Sequence, residues 1–161
     1  MVKIYKKSVT QFIDKPLDVV FSFFAKPENL RRITPSTLDF QILTPTPISM
    51  VKGTVIDYNI KVMGIRVHWR TLITSYNPPT QFVDEQTKGP YLLWIHTHTF
   101  KVKDEGVEIH DCIEYSIPLG LLGRFVHFLW IKRKLDQIFD FRRRKIEEIF
   151  ISDELSVSYS L

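Results

Sequence analysis

The residues after Pro118 constrain this chain more than any other stretch. Leu121, Phe125, Phe128, Leu135, Phe139, Ile146 and Ile149 recur at three- and four-residue steps, the spacing of one face of a helix about eight turns long. So long an apolar stripe exceeds what an isolated packing helix needs, and something extended has to cover it. The preceding 80 or so residues, by the alternation rule for strands, supply the cover.

From Leu38 to Ile117 the pattern is that of strands. Leu38 to Ile42 alternates apolar with polar before Pro45 and Pro47 break it. Thr54 to Val62 and Ile65 to Tyr76 are joined at Met63-Gly64 by a tight hairpin. Phe82 to Gln86, Tyr91 to Val102 and Val107 to Ile117 follow, with turns at Asn77-Pro78-Pro79-Thr80, Lys88-Gly89-Pro90 and Asp104-Glu105-Gly106. These strands in series with short connections predict an antiparallel meander that cannot bury its own face, so the long helix lies across it. Upstream, residues 2–13 read as an edge strand. Asp14 is placed to cap a short helix with Pro16 in its first turn, and Val19, Val20, Phe23 and Phe24 form its buried face. Pro27 and Pro35 leave room for one more turn over Glu28 to Ile33. The expected architecture is therefore α+β: a curved antiparallel sheet gripping a long C-terminal helix, with two short helices after the first strand. One domain spans residues 1–150 and a polar tail spans 151–161.

Composition narrows the class. At 161 residues, 44% hydrophobic and 25% charged, the chain is long enough for one well-buried core and too short for two ordinary domains. A single cysteine, Cys112, permits no internal disulfide and points to a reducing compartment. The N-terminus has no apolar stretch of signal-peptide type. The most apolar segment, Leu119 to Ile131, is broken by Arg124 and His127 and is too short to span a bilayer. A cytoplasmic protein is expected. The net charge of +4 is concentrated in Lys132, Arg133, Lys134, Arg142, Arg143, Arg144 and Lys145. That cluster suits either a solvated helix face near the helix end or a surface that meets phosphate or anionic membrane. No phosphate loop or dinucleotide fingerprint is present, and no nucleic-acid partner is expected.

The motifs Ile73-Thr74-Ser75-Tyr76-Asn77-Pro78-Pro79, Phe82-Val83-Asp84-Glu85-Gln86 and Gly89-Pro90-Tyr91-Leu92-Leu93-Trp94-Ile95-His96-Thr97-His98-Thr99-Phe100 carry a resemblance. With Asp111 to Gly120 and Ile138-Phe139-Asp140-Phe141-Arg142, they resemble a bacterial ligand-binding branch of the SRPBCC superfamily. That superfamily is START-like and includes polyketide cyclase-like proteins and the birch-pollen-allergen type. In this branch the helix segment commonly reads Tyr-Arg-His, where this chain has Phe141-Arg142-Arg143. The resemblance covers roughly residues 3–150. It implies a helix-grip fold that binds a hydrophobic small molecule (a lipid, quinone or polyketide-like compound) between helix and sheet. It does not imply one reaction, because the superfold hosts carriers, cyclases and hydrolase-like enzymes.

Side chains two apart on a strand share a face. Trp94, His96, His98 and Phe100 form one row and Leu93, Ile95, Thr97 and Thr99 the other. The aromatic row suits the concave wall of a cavity, although the Ile95 row would also pack, and a one-residue slip exchanges the two. Phe82, Asp84 and Gln86 form a similar row one strand earlier. The expected ligand-binding residues are Phe82, Asp84, Trp94, His96, His98, Phe100, Asp111 and Tyr115, with further wall from Tyr58, Trp69, Phe125, Phe128 and Phe139.

Two histidines on one strand face could hold a metal if Asp84, Asp111 or His68 supplied a third ligand, but no spacing in the sequence brings these together. The expectation is therefore no metal and no cofactor. His96 or His98 could instead shuttle protons, oriented by Asp84 or Asp111, with Arg66 or Arg70 polarising a carbonyl, as a cyclase or dehydratase would require. Equally, these polar groups could satisfy one another in a buried network or orient a ligand. Cys112 has no activating partner, and no serine sits in a nucleophile turn. A non-enzymatic binding protein is the first expectation. An enzyme with His96, His98 and Asp111 as catalytic candidates is the second, and an interaction module using the basic helix the third.

Overall fold

The computed structural model describes residues 3–118 and 120–158, with side chains at 121, 122, 124, 127 and 152–158 left aside. Seven strands form one antiparallel sheet: β1 (Ile4–Ile13), β2 (Gln41–Ile42), β3 (Val55–Val62), β4 (Ile65–Asn77), β5 (Gln81–Lys88), β6 (Leu93–Lys103) and β7 (Gly106–Ser116). Their order is β1-β7-β6-β5-β4-β3-β2. The meander runs from β2 to β7, and β1 adds along the far edge of β7, with Ile4 opposite Ser116 and Ile13 opposite Val107. The β3–β4 hairpin turns on Met63 (φ 50°) and Gly64 (φ 80°), between the paired residues Val62 and Ile65. Two left-handed residues in a two-residue turn match the twist of the strands. Pairing of β4 with β5 slips between Arg70 and Thr71 and again between Ile73 and Ser75. Such irregularities bend a strand and strengthen its twist, which lets a sheet curl.

Between β1 and β2 lie α1 (Leu17–Phe24) and two 3-10 segments, Pro27–Ile33 and Ser36–Leu38. Pro16 occupies the N-cap of α1 and no side chain caps it. Asp14 therefore does not take the capping role its position suggested, and Pro16 stands at the N-cap, one residue before the first turn in which it was expected. The alternation over Leu38 to Ile42 yields only the two-residue β2, because the chain leaves a 3-10 turn through a left-handed Asp39 (φ 42°).

The C-terminal helix begins as α2 (Gly120–Val126), widens through a π-helical stretch at His127–Ile131 and continues as α3 (Lys132–Ser158). The tail expected from residue 151 thus starts as helix, and residues 159–161 lie outside the described residues. Leu135, Phe139, Ile146 and Phe150 are buried against the sheet, whereas Phe125 is 61% and Phe128 75% exposed. The expected single stripe therefore breaks at the π stretch, where each wider turn spends an extra residue and rotates the face. Phe125 and Phe128 do not help to wall the sheet, and the Leu121 side chain lies outside the described residues. Lys7 holds Asp136 at 2.5 Å and the Gln11 amide donates to the Arg143 carbonyl at 2.9 Å, so β1 tethers α3.

Two core clusters flank the middle of the sheet. One joins Phe21 and Val20 of α1 to Phe82, Phe100, Val107, Ile109, Ile146 and Phe150. The other joins Ile113 and Tyr115 of β7 to Leu135 and Phe139 of α3.

Candidate functional site

A cavity of about 950 Å³ lies between the sheet, the helical segments after β1 and the C-terminal helix. Its wall is mostly apolar: Phe40, Ile56, Tyr58, Trp69, Ile73, Trp94 and Phe139 all contribute. Lining residues that are themselves exposed, Met63 at 74% and Val126 at 38%, mark the side that meets solvent. Trp69 packs edge-on against both Tyr91 and Trp94 and stacks on Tyr58, so the aromatic wall is continuous across β3, β4 and β6.

The Trp94 row takes the concave side. Trp94, His96 and His98 line the cavity, and Phe82 and Asp84 of β5 join them. Pairing explains why these meet: Phe82 lies opposite His98 and Asp84 opposite His96 on one flank, and Asp111 lies opposite His98 on the other. Phe82 stacks on the His98 ring at 4.2 Å between centroids. Phe100 and Tyr115 share this face but sit in the core clusters instead of bordering the cavity. Gln86 braces the β5–β6 connection by bonding the Tyr91 backbone. His68, Arg66 and Arg70 project to the other face of β4. There His68 and Arg70 share Asp57, at 2.6 and 2.9 Å, and Arg66 pairs with Asp39 at 2.6 Å. They are spent on these pairs and take no part in the cavity.

At the buried end of the cavity two carboxylates flank two neighbouring imidazoles. The His96 and His98 rings lie 3.8 Å apart between centroids. Asp84 Oδ2 sits 3.7 Å from His96 Nδ1 and 3.1 Å from His98 Nε2, the second contact a hydrogen bond. On the opposite side Asp111 Oδ1 sits 3.5 Å from His96 Nε2 and 2.7 Å from His98 Nδ1. The two contacts to Asp111 fall outside hydrogen-bond alignment, leaving those three buried atoms without a formal partner among the described residues. Both histidines are 5% exposed and Asp111 7%.

Burial opposes charge on every member, and the partners decide the outcome. Burial works against an imidazolium at His98, but Asp111 and Asp84 outweigh it and lift its pKa to about 9. Burial and the neighbouring His98 charge hold His96 below the ordinary histidine value despite the same carboxylates. Burial would raise the Asp111 carboxyl, but the His98 charge and the approach of both imidazoles hold it well below the usual range. Asp84 is also lowered against the pull of burial, by His98, His96 and Arg142. One imidazolium charge is therefore favoured at His98, between the two carboxylates, while His96, which borders the cavity, is biased toward its neutral form.

Sequence reasoning did not single out Arg142 as a site residue. Its side chain reaches the cavity from α3, lies over Phe139 at 5.3 Å, and leaves a buried Nε with no hydrogen-bond partner among the described residues. The signal available was the basic run itself, of whose other members Lys132, Arg133, Lys134, Arg143 and Arg144 are exposed and Lys145 is half-buried. Trp69 Nε1 is a second buried donor without an acceptor among the described residues.

The fold has many solved counterparts. Protein TTHA0849 from Thermus thermophilus superposes with a TM-score of 0.73 at 13% identity, over 92% of this chain and 99% of that one. Protein Ms6760 from Mycobacterium smegmatis gives 0.67 at 13%, over 92% of each chain. Ginseng major latex-like protein 151 from Panax ginseng gives 0.63 at 14%, over 91% of this chain and 97% of that one. This chain has the helix-grip fold of the SRPBCC type. No family model matches the sequence, and no curated protein matches it. Among the described residues, no helix of this helix-grip chain is long and apolar enough to cross a membrane.

Proposed function

We propose that this protein binds an amphipathic small molecule in the cavity between sheet and C-terminal helix, without a dedicated reaction. The observation that carries the reading is the mismatch inside the wall. A mostly apolar cavity of about 950 Å³ holds two buried donors, Arg142 Nε and Trp69 Nε1, that have no acceptor among the described residues. An unmet buried donor costs about 1–3 kcal/mol, and a ligand oxygen or ordered water in the cavity would remove that cost. The volume is at the upper end for small-molecule sites, whose apolar walls supply burial and whose few polar groups set orientation.

The apolar body of the ligand would lie against Trp94, Tyr58, Phe40 and Phe139. Its acceptor end would point to Arg142 and Trp69, with His96 close by. Fatty acids of graded chain length, displacing a fluorescent fatty-acid analogue, test this directly. Trp94→Ala and Arg142→Gln are each expected to weaken binding roughly tenfold or more, the scale of one lost buried contact. Unchanged affinity in both variants would contradict the placement.

A further inference from the structure

We propose that Asp84, His96 and His98 form a binding site for one first-row divalent cation, of the zinc class, at the buried end of the cavity. The inference rests on geometry that the small-molecule reading does not need.

Asp84, His96 and His98 each offer one ligand atom, and the three lie within 4.8 Å of one another; Asp84 Oδ2 faces His96 Nδ1 and His98 Nε2. Two of the separations are 3.1 and 3.7 Å. Ligands about 2.1 Å from a tetrahedral ion stand about 3.4 Å apart, so both carboxylate–imidazole separations lie within a few tenths of an ångström of what an ion requires. Two imidazole nitrogens and one carboxylate oxygen form a donor set that suits zinc and its first-row neighbours better than magnesium or calcium.

The opposite side of the cluster places a carboxylate where such a site takes its outer support. Metal-bound histidines donate their other ring nitrogen to a carboxylate or carbonyl. Here one oxygen of Asp111 faces both remaining nitrogens, His96 Nε2 at 3.5 Å and His98 Nδ1 at 2.7 Å. Asp111 does not border the cavity, whereas Asp84, His96 and His98 do. The three ligands would therefore leave the remaining coordination position open toward the cavity.

Charge points the same way. Two carboxylates leave the cluster net negative, and a divalent cation that takes the place of the His98 proton leaves it neutral. Arg142, whose charge acts on Asp84, would leave the occupied site attractive to an anionic oxygen of a ligand.

The test is titration of chelator-stripped protein with Co²⁺ and then Zn²⁺, with no small molecule present. Visible d–d absorption and calorimetry are the readouts. One equivalent of Co²⁺ is expected, with absorption bands characteristic of four or five ligands, displaced by Zn²⁺. His96→Ala and Asp84→Asn should each lose that absorption. Asp111→Asn should keep the one-to-one stoichiometry and weaken affinity about 10–100-fold. Near-ultraviolet circular dichroism establishes that each variant is folded, and Asp84→Asn preserves shape if His96→Ala does not fold. Absence of one-to-one binding in the wild-type protein would overturn the proposal. So would equal binding in folded His96→Ala and Asp84→Asn variants, which would assign the ion to surface histidines. Fatty-acid displacement on the stripped protein reads the small-molecule function separately, so either idea can fail alone.

Discussion

Asp84 and Asp111 are equivalent in the sequence, each an acidic residue in a strand of alternating pattern. In the fold they divide one job. Asp84 faces the cavity and Asp111 backs the two imidazoles from the core. Removing one partner from a buried charged group is far more costly than cutting a solvated pair. Asp111→Ala should lower unfolding free energy by about 3–5 kcal/mol. Asp136→Ala, which cuts the half-exposed pair with Lys7, should cost at most about 1 kcal/mol. Urea denaturation of the two variants checks the contrast, and similar losses would place Asp111 outside the buried cluster. At this scale the sequence offered residue types but not their partners. That Trp94, His96 and His98 share a face follows from the period of two. That Asp84 meets His96, and Asp111 meets His98, depends on the register of three strands, which alternation does not determine. Arg142 was hidden for a related reason: in a run of seven cations, only the phase of the helix tells which one buries its Nε.

Elements that carry their own local signals were legible. Met63-Gly64 marks the β3–β4 turn because a tight hairpin needs left-handed residues, and Gly64 is the kind that adopts them freely. The Asp104-Glu105-Gly106 turn was legible likewise, with Gly106 lying so close to β1 that a Cβ would stand 2.4 Å from the Ile13 carbonyl. What local pattern could not convey was the break in the C-terminal helix. The apolar steps through Phe125 and Phe128 continue those of Leu135 and Phe139 in the sequence, yet the π stretch turns the first pair outward. Leu135→Ala should therefore cost about 2–5 kcal/mol. Phe128→Ala should change stability by no more than about 0.5 kcal/mol. The same denaturation measurement reads both, and comparable losses would mean that Phe128 is packed in solution.

For the whole molecule, the order of strand, short helices, meander and long helix was enough to expect a sheet wrapped on a helix, since neither layer can bury its apolar face alone. The structure adds an incompletely filled interior. Its aromatic side chains run along the wall, Tyr58 stacked on Trp69 and Trp69 edge-on to Trp94. The cavity of about 950 Å³ with unmet donors in its wall is the feature on which the proposed ligand rests. Native mass spectrometry of the protein as purified, followed by denaturing extraction and identification of what is released, tests that claim most directly. The account predicts a mass excess that disappears on denaturation and an extracted amphipathic compound with at least one oxygen acceptor. A protein that carries no such compound, and takes up none from a mixture of fatty acids and isoprenoid quinones, would contradict it.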